Sequence, residues 1–80
     1  MAKPDTALEK ALELLEQGDW QGAHVIVQAH ENAYACWLHG IVHTMENDLD
    51  NARYWYKRAN RAFSSDVSAE LAAARSSRPA

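Results

Sequence analysis

Apolar residues recur at intervals of three and four positions along most of this chain, which is the spacing of one face of an α-helix. Short breaks rich in glycine, asparagine, aspartate and serine separate the apolar stretches. The pattern predicts five helices, at residues 5–17, 19–31, 33–46, 48–63 and 66–75. No proline interrupts the interior from Asp5 to Arg78, which favours long helices. We therefore expect one all-α domain over residues 1–80, with a flexible tail at 76–80.

The third and fourth predicted helices each carry a feature that indicates close packing. Gly40, in the middle of the third helix, costs about 1 kcal/mol relative to alanine, which a close approach by a neighbouring helix would explain. The fourth helix has small and aromatic residues on one face, namely Ala52, Tyr56, Ala59 and Phe63. We expect Tyr56 to be buried and this helix to be the main structural element. Its basic residues recur every four positions and should face water, at Arg53, Lys57 and Arg61.

Two segments of the chain, residues 18–23 and 47–52, repeat one order of residue types. Each has a turn residue, an aspartate, a large apolar residue, two variable positions and an alanine. The offset between them is 29 residues. Helix–turn–helix units that repeat at this scale indicate stacked helical hairpins.

Residues 36–63 resemble a tetratricopeptide repeat (TPR), with Gly40 at the position of the glycine in its first helix. The second helix matches the small–aromatic–small ladder of that family with Ala52, Tyr56 and Ala59. The offset is shorter than the roughly 34 residues of that repeat, and His43 stands where the family usually has tyrosine. The resemblance implies two stacked antiparallel helical hairpins and a short C-terminal capping helix. It also implies a module that binds a protein or peptide partner, or its own copy as a homodimer.

A narrower likeness covers the run from His39 to Tyr56, which is similar to a signature of small TPR-like proteins. That likeness implies a fold and no activity.

Charge is distributed unevenly along the 80 residues, although the net charge is only −3. Residues 1–50 carry nine acids and two lysines, whereas residues 51–80 carry six bases and two acids. Opposite poles could support head-to-tail association, and the alternative is two solvated faces. Aromatic and basic residues mix around Trp55, as in proteins that bind single strands, but the acidic total argues against a nucleic-acid partner.

The single cysteine, Cys36, cannot form an internal disulfide. No stretch resembles a signal peptide, and no apolar run approaches the length of a membrane span. These features predict a cytoplasmic protein with no membrane association.

The third predicted helix carries Cys36, His39, His43 and Glu46 at spacings of 3, 4 and 3, which places them on one stripe. Histidines four residues apart can share a divalent metal ion, with Glu46 as a third ligand. A pocket for a small molecule without metal is a second interpretation, to which Asn51 could contribute. The third is a half-buried polar stripe whose histidines form hydrogen bonds within the core. No His-Glu-x-x-His, phosphate-loop, serine-elbow or CxxC motif indicates an enzyme or a required cofactor.

Two functions follow as expectations. The first is a non-enzymatic helical-repeat interaction module, and the second is a small-molecule or metal-binding protein that uses His39, His43 and Glu46. An open surface lined by the two histidines would favour a site, whereas packing of the stripe against the fourth helix would favour a structural role.

Overall fold

The structure is a computed structural model that describes residues 6–78, and within this range the chain forms five α-helices and no strand. They are α1 (Thr6–Glu16), α2 (Trp20–Val27), α3 (Ala33–Met45), α4 (Leu49–Arg58) and α5 (Val67–Ser76). The predicted all-α class is confirmed. The predicted start of the first helix at residue 5 and the end of the predicted tail at residues 79–80 lie outside the described residues.

Four of the helices begin after a polar side chain that accepts a hydrogen bond from the backbone N–H three residues ahead. These capping residues are Asp19, Asn32, Asp48 and Asp66, with donor–acceptor distances between 2.8 and 3.4 Å. The first N–H groups of a helix have no partner within the helix, so each cap satisfies one of them. The local sequence therefore determines where each of these helices starts.

Three helices end at a residue with positive φ, namely Gly18, Asn47 and Asn60. In each case the next N–H bonds to the carbonyl five residues back, which closes the last turn of the helix. At Asn60, where φ is 60°, this turn ends α4 at Arg58, five residues before the predicted end at Phe63. The apolar spacing continues to Phe63, but the left-handed conformation of Asn60 ends the helix before that residue.

The second helix is also shorter than predicted, because α2 ends at Val27 and not at residue 31. The N–H groups of Ala29 and His30 bond to carbonyls only three residues back, at 3.1 Å. These tighter turns unwind the helix before Asn32 caps the next one.

The central element is α3, which contacts α1, α2, α4 and α5. Every residue from Ala35 to His43 is buried, because neighbouring helices cover all sides of this stretch. The expectation that the fourth helix is the main element is therefore wrong. The expectation that Tyr56 is buried is confirmed, since its side chain is 1% exposed.

Gly40 lies where α3 and α4 approach most closely. A Cβ atom at this position would lie 2.5 Å from Cδ1 of Tyr56 and 3.2 Å from the carbonyl oxygen of Ala52. Real side chains do not approach this closely, so the glycine permits the contact between the two helices. The close approach of a neighbouring helix that Gly40 predicts is therefore observed, and that helix is α4.

The last helix, α5, packs the partly buried residues Val67, Leu71 and Ala73 against the core and also makes several polar contacts. Oε1 of Glu70 accepts hydrogen bonds from Nε1 of Trp37 at 3.0 Å and from the hydroxyl of Tyr56 at 2.7 Å. The hydroxyl of Tyr34 donates to the carbonyl of Ala74 at 2.7 Å. Only Ala74 of α5 is fully buried, and these bonds add directional contacts to the partly buried apolar packing.

Two arginines at the C-terminal end bind the acidic first helix. The guanidinium of Arg75 donates to both carboxylate oxygens of Glu16, at 2.6 and 2.7 Å, and Arg78 donates to Glu9 at 2.7 Å. Part of the charge asymmetry in the sequence is therefore neutralised within one molecule. Residues 76–78, expected to be a flexible tail, include the last residue of α5 and this contact of Arg78.

No helix within residues 6–78 is both long and apolar enough to cross a membrane.

Candidate functional site

The two histidines of the predicted stripe are buried between α3 and α4. His39 is 4% exposed and His43 is 6% exposed, and their rings stack with centroids 5.0 Å apart. The other face of His39 lies on the indole of Trp55, with centroids 3.8 Å apart and planes 8° from parallel. Packing of this kind against α4 favours a structural role for the stripe.

A third histidine, His24 of α2, completes a cluster with these two. Its ring centroid lies 4.9 Å from that of His39 and 5.3 Å from that of His43. One nitrogen from each of the three rings lies within 4.8 Å of the other two. His24 is only partly buried, so it lies between the solvent and the two buried histidines, His39 and His43. We refer to His24, His39 and His43 as the histidine cluster.

The sequence analysis missed His24. It follows Ala23, which lies on the inner face of α2, so its side chain points to the edge between core and solvent. Histidine at such an edge position, with two more on the next helix, is the signal that could have identified it. The sequence does not specify how α2 docks on α3, so the contact itself was not predictable.

Polar contacts differ between the two buried histidines. Nδ1 of His43 and Oε1 of Glu46 are 2.8 Å apart, and because a carboxylate can only accept, the imidazole donates. This leaves Nε2 of a neutral His43 with a free lone pair. Nδ1 of His39 is buried without a hydrogen-bond partner in the described part of the chain. A buried polar group in this state costs roughly 1–3 kcal/mol.

The environment of His39 disfavours its charged form. Burial lowers its pKa to about 4, and any positive charge on His43, on His24 or on Arg58 acts in the same direction. His39 is therefore a neutral imidazole near pH 7. Neutral imidazole is the form that binds metal ions.

The remaining residues of the predicted site lie around this cluster in different roles. Asn51 is in the first turn of α4, where its side-chain amide is 3.4 Å from Oδ2 of Asp48, and it makes no hydrogen bond to the histidines. Cys36 is buried, and its thiol is 3.6 Å from the carbonyl of Glu31. Of Cys36, Glu46 and Asn51, only Glu46 forms a hydrogen bond with a histidine of the cluster, and that histidine is His43.

A second surface, on the outer side of α4, was not predicted as a site. It is a shallow groove of about 390 Å³ lined by Arg53, Tyr56, Lys57, Asn60, Arg61, Ala62 and Phe63. The guanidinium of Arg53 lies over the ring of Phe63 at 4.9 Å, and that of Arg61 lies over Trp37 at 3.5 Å. Residues 51–65 contain four bases and no acid. We refer to this surface as the basic groove.

Comparison of this chain with protein-family models, with curated proteins and with solved structures found no match. The histidine cluster and the basic groove are thus the two features from which a function can be inferred. They lie on opposite sides of α4, since Trp55 faces the histidines and Lys57 faces solvent.

Proposed function

We propose that this protein is a non-enzymatic interaction module that binds an acidic peptide segment of a partner protein in the basic groove. The observation that supports this is the arrangement of Arg53, Lys57 and Arg61 around an aromatic floor. No carboxylate of residues 6–78 pairs with Lys57 or Arg61, and Asp50 reaches Arg53 only at 3.5 Å. These cations are therefore available to a partner.

The groove combines two kinds of recognition. Arg53 and Arg61 are positioned by the aromatic rings beneath them, so less side-chain freedom is lost when they bind a carboxylate. The partly buried ring of Phe63 offers an apolar surface between these cations. A peptide that alternates acidic and apolar side chains matches this chemistry. Because the charges are exposed, affinity will fall as salt is added.

A nucleic-acid strand fits the groove less well than a peptide. Binding of single strands relies on aromatic faces on which bases stack. Tyr56 is buried, and one face of Trp55 is covered by His39. The ring of Phe63 lies beneath Arg53, so the groove offers phosphate-binding cations with little free ring face for stacking.

A second copy of the chain is also a weaker candidate than a foreign peptide. The acidic face of α1 is the natural partner for a basic surface, and the sequence suggests such an association. Glu9 and Glu16 of that face already bind Arg78 and Arg75 of the same molecule. A homodimer formed by opposite charges would have to compete with these internal pairs.

The proposal is tested by titrating the ¹⁵N-labelled protein with a short synthetic peptide of alternating glutamate and phenylalanine. We expect amide shifts confined to residues 53–63, and no such shifts with the matched lysine–phenylalanine peptide. Lys57→Glu should weaken binding about tenfold, a loss of about 1.4 kcal/mol. The control is Lys10→Glu, which makes the same charge change at an exposed position of α1.

Four results would contradict this function. Shifts outside the basic groove, or equal loss in Lys57→Glu and Lys10→Glu, would show that binding is nonspecific. Tighter binding of a single-stranded oligonucleotide to the same residues would show that the partner class is wrong. A dimer in sedimentation that dissociates in Lys57→Glu would show that a second copy occupies the groove.

A further inference from the structure

We propose that His24, His39 and His43 bind a first-row transition-metal dication, with Zn²⁺ as the reference ion. The proposal is independent of the basic groove, because none of the residues that line the groove belongs to the histidine cluster. It differs from the ligand set expected from the sequence. Glu46 moves out of the first coordination sphere, and His24 takes its place.

The first argument is the state of His39. Packing against Trp55 explains a flat ring at this position, but phenylalanine would provide the same stack without a buried nitrogen. Nδ1 of His39 has no partner among residues 6–78, although the residue is 96% buried. A core histidine that serves only packing would leave this cost uncompensated. A metal ion bound at Nδ1 would give this atom the polar partner that the described residues do not.

The second argument is the hydrogen bond between His43 and Glu46. Histidines that bind metals commonly donate their other ring N–H to a carboxylate, which fixes the tautomer and makes the ring a stronger ligand. Nδ1 of His43 forms this bond at 2.8 Å, so Nε2 is the nitrogen left to bind a metal. Glu46 is thus a positioning residue for His43.

The third argument is the approach of the three rings. Their ligand nitrogens already lie within 4.8 Å of one another, on two helices that pack together. Tetrahedral coordination at 2.0–2.1 Å brings such atoms to about 3.3 Å, so the cluster must contract. His24 is the partly exposed member, and a rotation of its side chain can close the site. Its exposed side leaves a fourth position for water.

The donor set determines the class of ion. Three imidazoles suit Zn²⁺, Cu²⁺, Ni²⁺ or Co²⁺, whereas Mg²⁺ and Ca²⁺ prefer oxygen ligands. The structure also brings His43, Glu46 and Asp48 within 4.8 Å of one another. In that group both carboxylates are exposed and Asp48 caps α4, so the same spacing arises without a metal. The two groups predict different effects of substitution.

The experiment is a calorimetric titration of the chelator-treated protein with Zn²⁺, together with the visible spectrum of the Co²⁺ form. We expect one ion per chain and the intense absorption of tetrahedral Co²⁺. His24→Ala should weaken Zn²⁺ binding about 100-fold, since it removes a ligand without opening the core. Glu46→Gln should weaken it about tenfold, within the range for residues that position a ligand. His39→Phe should abolish binding while circular dichroism shows an intact helical fold.

Two control variants make the result decisive. His30→Ala removes a histidine outside the cluster and should leave Zn²⁺ affinity unchanged. Asp48→Asn retains a capping side chain and should also leave it unchanged. The proposal is overturned if Asp48→Asn weakens binding while His24→Ala does not, because the ion then lies on the carboxylate group. It is equally overturned if Zn²⁺ does not bind, or if His30→Ala and His24→Ala lose affinity equally.

Discussion

The hydroxyl of Tyr56 donates a 2.7 Å hydrogen bond to Oε1 of Glu70, and this bond connects α4 to α5. The same carboxylate oxygen accepts from Nε1 of Trp37 on α3. Burial and the bond to Glu70 raise the pKa of Tyr56 well above its usual range, so the phenol is a hydrogen-bond donor near neutral pH. One carboxylate oxygen therefore links three helices.

Removing the hydroxyl of Tyr56 should cost much less stability than removing its ring. Tyr56→Phe keeps the buried ring and leaves Glu70 bonded to Trp37, so we expect a loss of about 1–3 kcal/mol. Tyr56→Ala should cost about 3–5 kcal/mol, because it opens a cavity between α3 and α4. Urea unfolding followed by circular dichroism measures both. Equal losses in the two variants, or a loss below about 1 kcal/mol for Tyr56→Ala, would contradict the packing described here.

Gly40→Ala should destabilise the protein although alanine is the better helix former. The substitution gains about 1 kcal/mol of helix propensity. Its Cβ would lie 2.5 Å from the Tyr56 ring, and overpacking of this kind costs about 1–3 kcal/mol. Thermal unfolding should show a net loss in the wild-type background. In a Tyr56→Leu background, where the ring is absent, the same substitution should be neutral or stabilising. The prediction is wrong if Gly40→Ala stabilises both backgrounds.

Stability of the metal-free protein should fall as the pH decreases from 6.5 towards 4. The pKa of His39 is about 4 in the folded state and 6.5 for an unperturbed histidine, so in this interval the unfolded chain takes up a proton that the folded chain does not. Proton uptake by the unfolded state favours unfolding, and the difference corresponds to about 3 kcal/mol at most. Positive charge on His43, on His24 or on Arg58 opposes the protonation of His39.

The control for this pH dependence is His39→Phe, which retains a ring against Trp55 and cannot titrate. Urea midpoints measured across the interval in the presence of a chelator should vary less in this variant than in the wild type. Identical pH profiles would show that His39 does not contribute.

Substitution of Asn60, which follows α4, should change stability only through the backbone conformation that the new residue prefers. Asn60 has a φ of 60°, which residues other than glycine, asparagine and aspartate rarely adopt. Asn60→Gly should leave stability unchanged or raise it by up to about 1 kcal/mol, whereas Asn60→Ala should lower it by about 1 kcal/mol. Thermal unfolding of the two variants provides the comparison. A loss in both would indicate that the side chain of Asn60, and not its conformation, matters.

The starts of the helices were predictable because their determinants are local. Asp19, Asn32 and Asp48 each precede an apolar run, and each forms the bond to backbone N–H that this position predicts. The end of α4 was equally local but was obscured by Phe63, which continues the spacing of Ala59. Asn60 has the left-handed backbone conformation that Asn47 also has, so an asparagine within the apolar spacing was the local signal that was overlooked.

The functional surfaces were only partly predictable, because they depend on how helices dock. The spacing of His39, His43 and Glu46 within one helix predicted that they share one stripe. In the structure His43 and Glu46 of this stripe form a hydrogen bond. His24 and Trp55 belong to other helices, so their contacts with His39 required the tertiary arrangement. The basic groove likewise depends on the chain turning at Asn60, which brings Phe63 back towards Arg53.

The polar attachment of α5 also has a consequence for the order in which the molecule opens. With one fully buried residue and a few partly buried apolar ones, this helix relies in part on Glu70, Arg75 and the bond from Tyr34 to Ala74. Segments with little buried apolar surface open at lower free energy than the rest of a protein. Amide hydrogens of α5 should therefore exchange with deuterium before those of α3. Each such opening uncovers Trp37, so transient release of the last helix exposes the indole on the central one before the core itself unfolds.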